Sequence, residues 1–394
     1  MTDAAAAAFT AKLKPVRLSG REVLPIVEGG KGVGASNGRS AGAFAAAGAV
    51  GTISAVNQLE YDAEGKVVPL VYHGATRVEK HEELVANGIR AGIQHIKMAH
   101  EISGGQGRIH INVLWEMGGA ARVLEGILEN TKGLVHGVTC GAGMPYRLSE
   151  IAAKYGVYYH PIVSSMRAFR ALWKRAYSKQ VELLGSVVYE DPWLAGGHNG
   201  LSNSEDPERP EDPYPRVAEI RRFMNEVGLH DVPIIMAGGA WHLKDWEHWL
   251  DNPEIGPVAF QFGTRPLLTK ESPIPEAWKE RLMTLKEGDV FLNQFSPTGF
   301  YSSAVNNSFI KELRARNERQ VSFSTEPEGY RTEPFPFGPR KRPHYVTPED
   351  LERINQWIGL GYTEALKTPD ETMIFVAPEK AAEIHKDQVD CMGC

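Results

Sequence analysis

Val187-Val188-Tyr189-Glu190-Asp191-Pro192-Trp193-Leu194-Ala195-Gly196-Gly197-His198-Asn199-Gly200 opens as a short β-branched run, breaks at Pro192 and closes on a histidine set among glycines. This reads as a buried strand whose C-terminal end opens into a loop carrying one titratable group. Gly196 and Gly197 before His198, and Gly200 after it, let the backbone take unusual dihedrals and approach a flat ligand closely. The polar, Pro-rich run Ser202–Pro215 that follows cannot be core, so an active-site loop is expected over about residues 200–215. A lone histidine is most often structural or simply exposed. The strand-end position and the glycine bracket favour a chemical role for His198.

Working outward, seven further apolar runs have the same grammar. Leu24–Glu28, Val50–Val56, Ile109–Leu114, Leu134–Thr139 and Tyr158–Val163 precede the opening strand, Ser186–Tyr189, and Val232–Met236 and Val258–Phe262 follow it. Helical patterning lies between many of them, as in Ser40–Gly48, His81–His100, Leu148–Lys154 and Met166–Lys179. Trp241, Trp246 and Trp249 read as the packed aromatic face of a helix. Eight short strands alternating with helices, with Gly, Ser or Asn at the strand ends, predict an α/β fold, a (β/α)8 TIM barrel. In that fold the catalytic loops lie at the C-terminal ends of the strands, and the loops after the seventh and eighth commonly hold a phosphate. Gly238-Gly239 and Gly263-Thr264 occupy those two places. Their backbone N–H groups, with the Thr264 hydroxyl, suit a phosphate-bearing ligand.

The first strand runs into Gly29-Gly30-Lys31-Gly32-Val33-Gly34, whose spacing is not the dinucleotide fingerprint. The residues leave two readings open: a tight turn with close helix–sheet packing, or backbone amides lying against a cofactor. Asn112 interrupts the third strand and is expected to aim into a site rather than the core. The segment at about 57–107 is expected to be an insertion forming a small extra subdomain, with a turn at Ala63-Glu64-Gly65. His73, His81, His95 and His100 within it match no metal-ligand spacing, so solvated or capping histidines are expected there.

The bulk properties exclude several classes. Hydrophobic content of 42% and charged content of 23% over 394 residues are those of an ordinary soluble chain. A net charge of -6 gives no reason to expect nucleic acid or an anionic membrane as partner. No apolar run approaches the ~18 residues of a membrane span. The Ala4–Ala8 run lacks a basic flank, so no signal peptide is expected. Cys140, Cys391 and Cys394 make no disulfide framework, and a reducing cytoplasm is the expected compartment. Cys391-x-x-Cys394 is half of a tetrahedral metal or cluster site. Either its partners come from elsewhere or the natural chain continues, and no cluster is expected here.

The expected division is a barrel domain over residues 1–308 and a C-terminal irregular and helical extension over 309–394 that wraps it. Phe309–Glu318 reads as a basic helix, Ser322–Tyr345 as an irregular arm, and Thr347-Pro348-Glu349-Asp350 as a capped helix start ended by Gly359.

Pro25-Ile26-Val27-Glu28-Gly29-Gly30-Lys31-Gly32-Val33-Gly34, Gly196-Gly197-His198-Asn199-Gly200, Ala237-Gly238-Gly239 and Gln261-Phe262-Gly263-Thr264-Arg265, in this order, resemble the nitronate monooxygenase (2-nitropropane dioxygenase-like) family. The resemblance covers about Leu24 to Val305. Val138–Pro145, Pro161–Ser165 and Ser296-Pro297-Thr298-Gly299 look most like the branch that includes flavin-dependent enoyl and acyl-carrier-protein oxidoreductases. The resemblance implies non-covalent FMN in a (β/α)8 barrel, with Gly29, Gly30, Lys31 and Asn112 along the isoalloxazine ring. It puts Gly238, Gly239, Gly263 and Thr264 at the FMN phosphate and adds Gly141, Ser165, Gly197 and Ala237 to the cofactor set. His198 matches the active-site histidine. Glu28 stands where a Gln is common and Lys31 where a Met is common, which alters the surroundings of the ring. The implied activity is oxidation of alkyl nitronates with O2 to carbonyl compound and nitrite. The alternative is an enoyl-thioester reductase or acyl dehydrogenase/isomerase using NAD(P)H. Either takes a small-molecule or acyl-thioester substrate, and a homodimer is the oligomeric expectation.

Overall fold

The computed structural model describes residues 13–202, 204–295, 300–338, 340–368 and 371–390. The Ala4–Ala8 run, Ser296-Pro297-Thr298-Gly299 and Cys391-x-x-Cys394 lie outside the described residues. The chain divides into one unit running up to Ala304 and a second over Val305–Cys391.

The first unit is built on a closed barrel of parallel strands. In chain order these are β1 (Ile26–Glu28), β2 (Val50–Ser54), β3 (Arg108–Leu114), β4 (Gly137–Gly141), β5 (Tyr158–Val163), β6 (Val187–Glu190), β7 (Ile234–Ala237) and β8 (Val258–Phe262). Each pairs with its sequence neighbour, and the ring closes where Phe262 of β8 stands beside Glu28 of β1. All eight lie within or against the runs read from the sequence. Short β-branched segments buried on both faces are what a parallel barrel requires.

A hairpin of Val16–Leu18 and Arg21–Val23 precedes β1. Val16, Leu18 and Val23 join Val27, Val50, Val188, Ile235, Ala237 and Ala259 in one buried cluster, so the hairpin contributes to the core inside the ring. The larger outer core packs the helices on the strands.

Helix α1 (Gly38–Ala46) is made of small residues because it packs with almost no space. A Cβ at Gly51 of β2 would come within 1.8 Å of the Ala41 carbonyl oxygen. One at Gly42 would come within 2.7 Å of Ile102 on helix α2 (Arg77–Ser103). Helices α3 (Ala120–Asn130), α4 (Leu148–Tyr155), α5 (Met166–Arg175) and α6 (Pro213–Glu226) follow β3 to β6. After β7 the chain makes only a 3-10 segment, Leu243–Trp249, rather than an α-helix. Trp246 and Trp249 still pack, with ring centroids 5.1 Å apart, whereas Trp241 falls before the segment. The expected insertion at 57–107 consists of a two-stranded hairpin, Glu60–Tyr61 and Val67–Val68, and α2, which is the helix between β2 and β3.

Of the solvated or capping roles expected for the histidines of this segment, His95 takes the capping one. It is fully buried, its Nδ1 accepts the Gly38 N–H at 2.9 Å, and its Nε2 lies 2.7 Å from the Leu59 carbonyl oxygen. It thus caps an otherwise unpaired N–H at the start of α1. No helix among the described residues is long and apolar enough to cross a membrane.

The second unit has its own core of Val321, Phe323, Val346, Ile354, Met373 and Phe375. Ser322–Tyr345, expected to be irregular, includes most of a hairpin of Glu333–Phe337 and Arg342–Val346, with alternating half-buried side chains supplying the strand signal. Thr347 caps helix Pro348–Gly359 as read, accepting the Asp350 N–H at 3.1 Å.

Candidate active site

A cavity of about 690 Å3 opens at the C-terminal ends of β4, β5 and β6. That volume is in the range of small-molecule sites. His198 lies on its wall with Ser165, Glu190 and residues of the 200–212 loop.

Local chemistry explains how His198 is carried there. Asp191 ends the β6 run by accepting the N–H groups of Trp193 and Leu194 on Oδ1, at 2.9 and 2.8 Å. This side-chain turn is what breaks the strand at Pro192. Gly197, at φ +66, and His198 then form a short antiparallel pairing with Ser303 and Ser302 of strand Ser302–Val305. That strand pairs in turn with Val290–Asn293. Gly200 passes so close to β5 that a Cβ would lie 2.1 Å from Ser164 Oγ. His198 is half-buried, and burial holds its imidazole below its ordinary range, in the neutral form at neutral pH.

The loop beyond His198 is clamped by Arg216 of α6. Its guanidinium reaches Glu205 at 2.6 Å, Glu211 at 2.8 Å and the Ser164 carbonyl oxygen at 2.8 Å. It also lies 5.2 Å from the Trp193 ring centroid. The Pro-rich loop gives no hint of this anchor, which comes from the helix after it.

Across the barrel, the glycine loop meets Asn112. A Cβ at Gly30 would sit 2.1 Å from Asn112 Cβ, so the loop backbone lies directly on that side chain. The Gly29 N–H donates to the Phe262 carbonyl oxygen at 2.8 Å, tying the loop to the end of β8. Lys31 does not extend toward the barrel mouth. Its Nζ turns back to Glu28 Oε1 at 3.3 Å and to the Gly29 carbonyl oxygen at 2.6 Å. Glu28 is fully buried, and burial pushes its carboxyl up and the Lys31 ammonium down, each opposed by the other's charge. The two departures from the family pattern are therefore the two halves of one ion pair.

Gly238 and Gly239 have φ of +91 and +75, which only glycine adopts readily. Gly263 faces open space and Thr264 is exposed. These four residues are not on the wall of the β4–β6 cavity. They form a separate, glycine-rich edge at the ends of β7 and β8, next to the Gly29–Gly30 loop. Ala237 is buried in the inner core beneath them. Gly141 packs on Ile162 of β5, and Ser165 accepts the Ala168 N–H at 3.3 Å as the cap of α5 while facing the cavity.

Glu190 was missed as a site residue although it stood in the decisive stretch. An acid at the C-terminal end of a barrel strand is itself a functional signal. Burial, reinforced by Asp191, pushes its carboxyl up to about 8.

The family model described as nitronate monooxygenase matches residues 20–369. The chain belongs to the nitronate monooxygenase family. The match runs past the Val305 limit of the sequence resemblance and into the second unit. As a member of that family the chain is a flavin-dependent oxidoreductase. Among solved structures, FabK from Thermotoga maritima is 19% identical at a TM-score of 0.51, covering 79% of this chain and 78% of that one. A nitroalkane oxidase from Streptomyces ansochromogenes is 19% identical at a TM-score of 0.52, covering 77% of this chain and 80% of that one. At that identity the two likenesses show the fold. No curated protein matches.

The residues present fit a flavin of this family. The Gly30 backbone lies bare against Asn112 and Gly263 at the end of β8 faces open space, while Gly238 and Gly239 pack against Asp191, Leu194 and Ala195. Among the described residues no group of three or more His, Cys, Asp or Glu could hold a metal ion. Cys140 is buried, and its thiol is pushed up by that burial.

Proposed function

We propose that this chain is an FMN-dependent nitronate monooxygenase with His198 as its active-site histidine. The observation that carries the reading is the placement of a neutral, half-buried histidine on the wall of a cavity at the C-terminal end of a nitronate monooxygenase-family barrel. Gly238, Gly239, Gly263 and Thr264 hold the FMN phosphate. Gly29, Gly30 and the backbone of Lys31 line the ring with Asn112, and Gly141, Ser165, Gly197 and Ala237 complete its surroundings. FMN supplies electron transfer from the nitronate to O2, with carbonyl compound and nitrite as products.

His198 binds the nitronate at the cavity wall and, being neutral, accepts or returns a proton. The Arg216 clamp holds the 200–212 loop over the cavity and limits water entry.

The test is anaerobic stopped-flow absorbance of the yellow protein mixed with a nitronate and, separately, with NAD(P)H. Rapid bleaching by the nitronate, with nitrite formed on admitting air, is expected. Bleaching only by NAD(P)H, reversed by an enoyl thioester, would replace this reading with the reductase. His198→Asn is expected to retain flavin and lose turnover by about 10²-fold or more.

A further inference from the structure

Glu190 is the last residue of β6. Side chains two apart on a strand share a face, and Val188 belongs to the core inside the ring. Glu190 therefore projects inward, at the mouth, where it lines the same cavity as His198. Its neighbour in register on β7 is Ala237, which leaves the carboxyl room but no partner.

The charged groups around it do not neutralise it. Among the described residues no ion pair engages its carboxyl. Arg216 is committed to Glu205 and Glu211, and Arg167 on α5 and Glu219 on α6 are exposed at the rim. Asp191 turns to the N–H groups of Trp193 and Leu194 and adds a like charge next door. A carboxyl so placed is more stable with its proton on, consistent with its upward shift to about 8.

We propose that Glu190 is a substrate-binding acid: its neutral carboxyl donates a hydrogen bond to an oxygen of the bound nitronate, and its ionised form turns that anion away. The assignment rests on the nitronate reading. A neutral acid adds a donor without adding charge, whereas an ionised one offers only lone pairs and repulsion. Glu190 thereby makes binding of an anion depend on the cavity's protonation state.

The sign follows from the raised value. Below about 8 the carboxyl is neutral and the nitronate is accepted; as pH rises through that value, acceptance is lost. With preformed nitronate, kcat/KM of the holoenzyme should fall about tenfold per pH unit above the transition. Glu190→Gln keeps a donor that does not titrate, and should abolish the fall. Infrared difference spectra of substrate-free holoenzyme give an independent readout. A protonated-carboxyl band should vanish as pH rises through the same range and be missing in Glu190→Gln. Nitronate turnover with a flat wild-type profile, or with the same fall in Glu190→Gln, would overturn the assignment and leave the function standing. Should the variant not fold, absence of the titrating band in the wild type would overturn it equally. A band that titrates as expected in a protein that never turns over nitronate would overturn the function and, with it, the ligand assigned to Glu190.

Discussion

Gly30 lies so close to Asn112 that the carbon any side chain would add at residue 30 falls 2.1 Å from Asn112 Cβ. Two segments far apart in sequence, the loop after β1 and the end of β3, are thereby pressed into one surface at the barrel mouth. Gly30→Ala should push the loop off this surface, lowering stability by about 1–3 kcal/mol and reducing the flavin that copurifies. Thermal unfolding and the visible absorbance per protein measure the two effects. Removing the opposing carbon in Gly30→Ala/Asn112→Gly should restore stability in part; no restoration would mean that the contact is not the cause.

The buried pair of Lys31 and Glu28 makes a second, sharper prediction. Lys31→Met leaves a fully buried carboxyl without its cation, and should cost about 3–5 kcal/mol in denaturant unfolding. The double variant Glu28→Gln/Lys31→Met removes both charges together and should lie near the wild type. Additive losses in the double-mutant cycle would show that the two side chains do not act as a pair.

A third prediction concerns acid. His110 and His160 stack inside the barrel with ring centroids 4.4 Å apart, each within hydrogen-bond distance of Ser19 Oγ, at 2.8 and 2.9 Å. His160 also meets Ser186 at 2.7 Å, and burial depresses it from 6.5 to about 3. The folded state therefore keeps it neutral while the unfolded chain takes up a proton below about 6.5. Stability is full above that value and is lost as pH falls toward 3. Between pH 7 and pH 4.5 the loss from His160 alone should be roughly 3 kcal/mol. Urea unfolding at the two pH values, repeated on His160→Asn, should show a shallower acid loss in the variant.

The barrel was legible because each strand is a compact apolar run closed by a turn-forming residue, and parallel strands buried on both faces leave little else to read. The glycine loop and Asn112 each stood out in the sequence, as a glycine run and a lone polar residue in a strand, but their contact with each other did not. Partners chosen across space were not legible. Nothing in the periodicity of α2 says that His95 will cap α1, or that Ser19 will be shared by His110 and His160. Glu28 and Lys31 were visible as departures but not as each other's counter-charge, because the loop must fold back before the ammonium can reach the acid. Glu190 was not legible as a site residue, because its inward aim depends on which face of β6 meets the core inside the ring.

The pairing of Gly197–His198 with Ser302–Val305 and, through it, with Val290–Asn293 bears on how this site could be altered. The position of His198 is set as much by chain written a hundred residues downstream as by the loop it belongs to. A chimera that transplants only the 190–212 loop would import the histidine without the template that aligns it. For recombination, in the laboratory or in descent, the two stretches form one cassette and travel usefully only together.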